Sequence, residues 1–113
     1  EVLTPYKLVT VAEAMGDVPR VKLFVDEDRN ELNMAYNFEA IDFGYLPNEY
    51  KMPDPNGWDL VKWKDIYKKW DSAFIEKGWG TMYLGNHDQP RMATRWGNDA
   101  PEFRELSSKM SFL

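Results

Sequence analysis

The chain predicts an α/β fold built on a parallel sheet, and three observations carry that expectation. Apolar runs of strand length alternate with segments of helical period, in the order strand, helix, strand, long loop, helix, strand, loop, helix. Alternation of this kind is what βα crossovers produce. The first run, Lys7-Leu8-Val9-Thr10-Val11-Ala12, is polar inside only at Thr10, as suits a strand covered on both faces. Polar and mostly acidic residues then stand directly after the runs, at Glu13, at Glu39 and at His87-Asp88. Polar groups at the carboxyl ends of parallel strands face a cleft, so the three ends are expected to open on one rim.

The elements follow in order. The strand over residues 7–12 ends at Glu13, which is either an ordinary loop acid or a carboxylate that is paired or used, since burying one otherwise is expensive. Asp17-Val18-Pro19 reads as a helix start, an Asp cap with proline in the first turn, running to about Val25. The acidic stretch 26–31 reads as a solvated loop. Residues 34–38 form a second strand ending in Glu39. The connection over residues 40–58 contains Pro47, Pro53, Pro55 and Gly57, which block regular structure, and loops this long are often binding loops or lids. Its Tyr45, Tyr50 and Trp58 either offer stacking surfaces or pin the loop to the body. From residue 60 to 77, Trp63, Ile66, Tyr67, Trp70, Ala73 and Phe74 recur at helical spacing with lysines opposite, and Gly78 fits a left-handed stop. That aromatic stripe reads as core.

Residues 81–85 predict the third strand. Pro90, without a backbone donor, halts the ladder. His87 and Asp88 therefore sit where strand gives way to loop, either as chemistry at a cleft or as a local turn in which Asp88 bonds its own backbone. Asn98-Asp99-Ala100-Pro101-Glu102 reads as another helix entry, with Phe103, Leu106, Met110 and Leu113 supplying its apolar face.

The totals narrow the function classes. With 113 residues and 43 % apolar content, residues 1–113 suit one unit without an internal boundary. A net charge of −5 with dispersed acids argues against a nucleic-acid partner. No cysteine and one histidine leave no thiolate metal site, and neither metal nor cofactor is expected. No apolar run approaches a membrane span, and Glu1-Val2-Leu3-Thr4-Pro5 does not look like a signal peptide. The compartment stays open.

Taken together, Thr10-Val11-Ala12-Glu13-Ala14, then the run from Glu31 to Glu39, then Gly78-Trp79-Gly80 and Asn86-His87-Asp88-Gln89-Pro90-Arg91 resemble the α-amylase family of glycoside hydrolases. The likeness covers essentially the whole chain and is strongest to the oligo-1,6-glucosidase and α-glucosidase branch, soluble bacterial-type enzymes of cytoplasm or periplasm. It implies a (β/α)8 barrel of which this chain supplies about three βα units, the fifth to the seventh. By the same resemblance Glu13 matches the general acid/base, Asp88 the carboxylate that binds sugar hydroxyls and favours the transition state, and His87 a hydrogen-bond donor to the same sugar. Arg91 follows the family string and is carried as a substrate-binding position; Glu39 is expected to be supporting or structural.

One departure bears on activity. The family nucleophile is an aspartate after the fourth strand, upstream of anything in this chain, and a retaining glycosidase needs two carboxyl groups about 5–5.5 Å apart. The chain is therefore expected to be a segment of a larger α-glucosidase acting on short α-glucosides, inert or nearly so alone, and prone to self-association through unpaired sheet edges. The alternatives are a non-catalytic member of the same fold and a carbohydrate-binding module stacking sugars on Tyr45, Tyr50 and Trp58.

Overall fold

The computed structural model describes residues 5–110, so Leu113 and the end of the expected last helix lie outside it. Three strands, β1 (Val11–Ala12), β2 (Met34–Tyr36) and β3 (Trp79–Thr81), form one parallel sheet in that order. Its register sets Ala12 beside Ala35 and Ala35 beside Gly80. This row of small side chains faces the helices, because a Cβ built on Gly80 would lie 3.5 Å from Phe74 Cδ2.

Two helices cover that face. Asp17 caps α1 (Val18–Val25) by accepting from the Arg20 amide at 3.2 Å, and Val18, Val21 and Val25, spaced by three and four, are buried. Asp59 caps α3 (Leu60–Phe74) through amides of Val61 and Lys62 at 2.9 and 3.1 Å. Its buried stripe is Tyr67, Trp70 and Phe74. The core is the sandwich of Ala12 and Ala35 with the three valines, Trp70 and Phe74. The expected helix to residue 77 ends three residues early, and Gly78 then turns the chain at φ +140°, where a Cβ would crowd the Val25 carbonyl at 3.0 Å.

The other face of the sheet is open. The row Val11, Met34 and Trp79 points there, and Val11 and Trp79 are 42 % and 61 % exposed. Burial on both faces, expected of the first run, therefore does not hold, and only two of its residues pair. The ladder starts late because side chains take over at Thr10, whose amide and hydroxyl both donate to Asn33 Oδ1 at 2.8 and 2.9 Å. A sheet roofed on one side makes a long body, 51 × 26 × 26 Å with a radius of gyration of 16.2 Å. A compact domain of this length has about 13 Å.

Other boundaries shift for local reasons. The second strand stops at Tyr36 because buried Asn37 caps a short helix, α2 (Phe38–Asp42), accepting from the Ala40 amide at 3.0 Å. With β2 ended there, β3 has no partner beyond Thr81, so it occupies Trp79–Thr81 rather than residues 81–85. The long connection is folded on itself, with a Tyr45–Pro53 bridge and a Leu46 amide donating to the Met52 carbonyl at 2.8 Å. Two further helices follow, α4 (Met92–Trp96), in a stretch where the sequence predicts loop, and α5 (Arg104–Met110). Trp58 stacks on Trp96 with ring centres 5.1 Å apart, and Trp63 of α3 packs against both. That cluster locks loop, α3 and α4 together. Among the described residues no helix is long and apolar enough to cross a membrane.

Candidate active site

A cleft of about 490 Å³ opens beyond the carboxyl ends of the strands. Glu13, one residue past β1, and Asp88, in the loop after β3, both line it, together with Phe38, Asp42, Tyr45 and Lys51. Alternation along β1 gives Glu13 the same side as Val11, the face away from the helices. The volume suits a small ligand.

Asp88 is held by its backbone. Its amide donates to Asn86 Oδ1 at 2.9 Å, and its carbonyl accepts from Lys51 Nζ at 2.8 Å. The side-chain turn is thus made by Asn86, and the Asp88 carboxylate is not engaged in it. His87 Nε2 stands 3.5 Å from Asp88 Oδ2, but its side chain is 83 % exposed and does not line the cleft. Arg91 lines a neighbouring cavity with Met82, Tyr83 and Met92, at the residue that precedes α4. The structure therefore brings Glu13 and Asp88 to one cleft, and sets His87 and Arg91 beside it.

Glu39 departs from the expected rim. As the second residue of α2 it turns toward the helix layer, where it pairs with Lys69 and accepts from Trp70 Nε1 at 3.0 Å. One helical turn replaces two strand residues, and the direction of the side chain changes with it. Asp42, three residues on, takes the place at the cleft. Burial lifts its pKa above the ordinary carboxylate value, and the nearby charges of Arg95 and Lys51 pull it back.

An aromatic cluster adjoins the site at Phe38. Tyr83 packs on Tyr36 and Phe38, with ring centres 4.9 and 6.0 Å away. Its hydroxyl is buried without a hydrogen-bond partner, and burial first, then the charges of Asp42 and Glu13, raise its pKa well above that of an ordinary phenol. Tyr67 of α3 donates to the Tyr83 carbonyl at 3.1 Å, tying the helix to the chain that leads to Asp88. Neither Asp42 nor Tyr83 was singled out from sequence; only spatial neighbours distinguish them. Of the three residues expected as stacking surfaces, Trp58 packs against Trp96, Tyr45 lines the cleft bonded to Gln89, and Tyr50 lines it at 89 % exposure. Trp58 thus stands apart from the cleft that the two tyrosines share. Among the described residues no cluster of three or more His, Cys, Asp or Glu could hold a metal ion.

A parallel βα sheet with carboxylates beyond its strand ends and one open face is what part of a (β/α)8 barrel presents, and comparison with known proteins makes this specific. A model of the α-amylase catalytic domain matches residues 1–113, and the chain belongs to that family. The oligo-1,6-glucosidase of Heyndrickxia coagulans is 41 % identical over 106 residues, covering 88 % of this chain and 18 % of the relative. The α-glucosidase of Schizosaccharomyces pombe is 35 % identical over 115 residues, covering 99 % of this chain and 20 % of the relative. Among solved structures, the isomaltulose synthase of Erwinia rhapontici NX5 superposes with a TM-score of 0.82 at 34 % identity, covering 92 % of this chain and 18 % of that one. A mutant of that synthase, solved in complex with D-glucose, gives 0.85 at 32 % identity, over 95 % and 19 %. The chain thus spans about a fifth of the length of its relatives, and the fold expectation holds at the level of a partial α/β piece of a (β/α)8 catalytic domain.

Proposed function

We propose that these 113 residues are the fifth to seventh βα units of a retaining α-glucosidase acting on short α-glucosides. The observation that carries this reading is the shared cleft of Glu13 and Asp88 at the carboxyl ends of the strands, the place where barrel enzymes keep their chemistry. Glu13 acts as general acid, donating its proton to the glycosidic oxygen as the bond to the anomeric carbon breaks, and then as general base, taking a proton from the attacking water. Asp88 holds sugar hydroxyls and stabilises the positive charge that develops on the ring. His87 reaches the same sugar from the rim, and Arg91 contributes to substrate binding from its edge. The nucleophilic carboxylate comes from a part of the whole enzyme other than these residues. The open face bearing Val11, Met34 and Trp79 is filled by the remaining strands, and this chain alone is inactive.

The test is Glu13→Gln in the whole enzyme. Hydrolysis of an α-glucoside with a poor leaving group is expected to fall by at least about 100-fold, the scale of general acid–base catalysis, while equilibrium binding of the sugar persists. A variant that keeps most of its turnover would remove Glu13 from this role.

A further inference from the structure

The long connection is fastened to the Asp88 loop at two points. The Tyr45 hydroxyl donates to Gln89 Oε1, and the Lys51 ammonium donates to the Asp88 carbonyl at 2.8 Å. Tyr45 is itself held from behind. The Arg95 guanidinium lies 4.1 Å from its ring centre and 4.6 Å from that of Trp96. The same guanidinium donates to the carbonyls of Ile41 at 2.7 Å and Phe43 at 3.3 Å. An always-charged planar group between two rings and two carbonyls has one orientation that satisfies all four. Tyr45 is therefore set before it meets Gln89.

We propose that Tyr45 is a positioning residue for Asp88, holding the Asp88 loop through Gln89 so that the carboxylate stays against the cleft wall that Glu13 shares. Lys51 on the Asp88 carbonyl is the second tether, whereas the Asn86 turn is internal to residues 86–89 and fixes shape, not placement. The inference rests on the reading of Asp88 given above. A group that acts mostly in the transition state loses more in turnover than in binding when misplaced, and displacements of about 1 Å can cost about 100-fold.

The experiment compares Tyr45→Phe, Gln89→Met, Lys51→Met and Asp88→Asn in the whole enzyme with a short α-glucoside as substrate. Tyr45→Phe keeps the ring over Arg95 and removes only the hydroxyl. The expected result is a fall in kcat of about 10-fold for Tyr45→Phe and for Gln89→Met, with KM within about twofold and thermal midpoints nearly unchanged. Combining Tyr45→Phe with Gln89→Met should add nothing further, because both break one bond. Combining Tyr45→Phe with Lys51→Met should deepen the loss. Wild-type kcat per folded molecule in Tyr45→Phe, or a change confined to stability, overturns the positioning role. Should Tyr45→Phe fail to fold, Gln89→Met decides alone by the same criterion. If Asp88→Asn keeps its turnover, the reading of Asp88 falls and this inference falls with it; an inactive Asp88→Asn beside an undisturbed Tyr45→Phe removes only the inference.

Discussion

The indole N–H of Trp70 donates to Glu39 Oε2 across 3.0 Å, and the neighbouring Lys69 pairs with the other oxygen of the same carboxylate. Glu39 therefore joins α2 to α3, in a position where its charge serves packing. Glu39→Ala in the whole enzyme is expected to lower stability by about 1–2 kcal/mol, since it leaves the indole N–H of buried Trp70 unsatisfied and frees a partly exposed lysine. kcat should be unchanged. A loss of kcat at constant thermal midpoint would instead return Glu39 to the chemistry.

Tyr67 predicts the alkaline limit. Burial pushes its phenol from 10.0 up to about 12. A raised folded-state value means the folded protein holds this proton more tightly than the unfolded chain. The contribution is intact below pH 10 and is lost as pH climbs toward about 12. Tyrosinate absorbance followed with circular dichroism should show a late-titrating class whose ionisation coincides with unfolding. Tyr67→Phe should remove one member of that class and reduce the alkaline loss.

Asp42 predicts a trade between stability and site. Its pKa lies above the ordinary 3.8, chiefly through burial, so the ionised form is the disfavoured one in the folded state. Folding pays for that charge above the raised pKa, and the cost vanishes as pH falls through it. Asp42→Asn is expected to raise the thermal midpoint at neutral pH and to leave it nearly unchanged at acidic pH. Melting curves at the two pH values check this; a lower midpoint at neutral pH would mean that the attraction of Arg95 and Lys51 outweighs burial.

The open side of the sheet predicts association. Val11 and Trp79 on that side are 42 % and 61 % exposed, and both edge strands carry unpaired backbone groups. The isolated 113-residue chain is expected to form dimers or larger species at micromolar concentration. Light scattering at the monomer mass would contradict this.

The sequence made the helices and the parallel sheet legible unevenly. α3 was clear because Tyr67, Trp70 and Phe74 repeat on one face, and α1 because Asp17 and Pro19 mark its start. Strand limits were not clear. The extent of β3 is decided by where β2 stops, and β2 stops because Asn37 caps a helix, so neither limit is written in the strand's own residues. The same cap reversed the expected direction of Glu39. Glu13 and Asp88 were singled out from the strand ends and the family string, and the fold brings both to one cleft. Tyr45, Arg95 and Tyr83 owe their places to contacts across tens of residues, which local pattern does not encode.

The row Ala12, Ala35 and Gly80 lets the helix layer lie close upon the sheet. Proximity there makes α3 a rigid strut, braced at Phe74 against Gly80 and reaching at Tyr67 to the Tyr83 carbonyl, five residues before Asp88. A Cβ at position 80 would meet Phe74 Cδ2 at 3.5 Å, an ordinary van der Waals contact, so an added methyl fits there and only a larger side chain would press the strut outward. The packing of the sheet's covered face thus reaches the cleft on its open side.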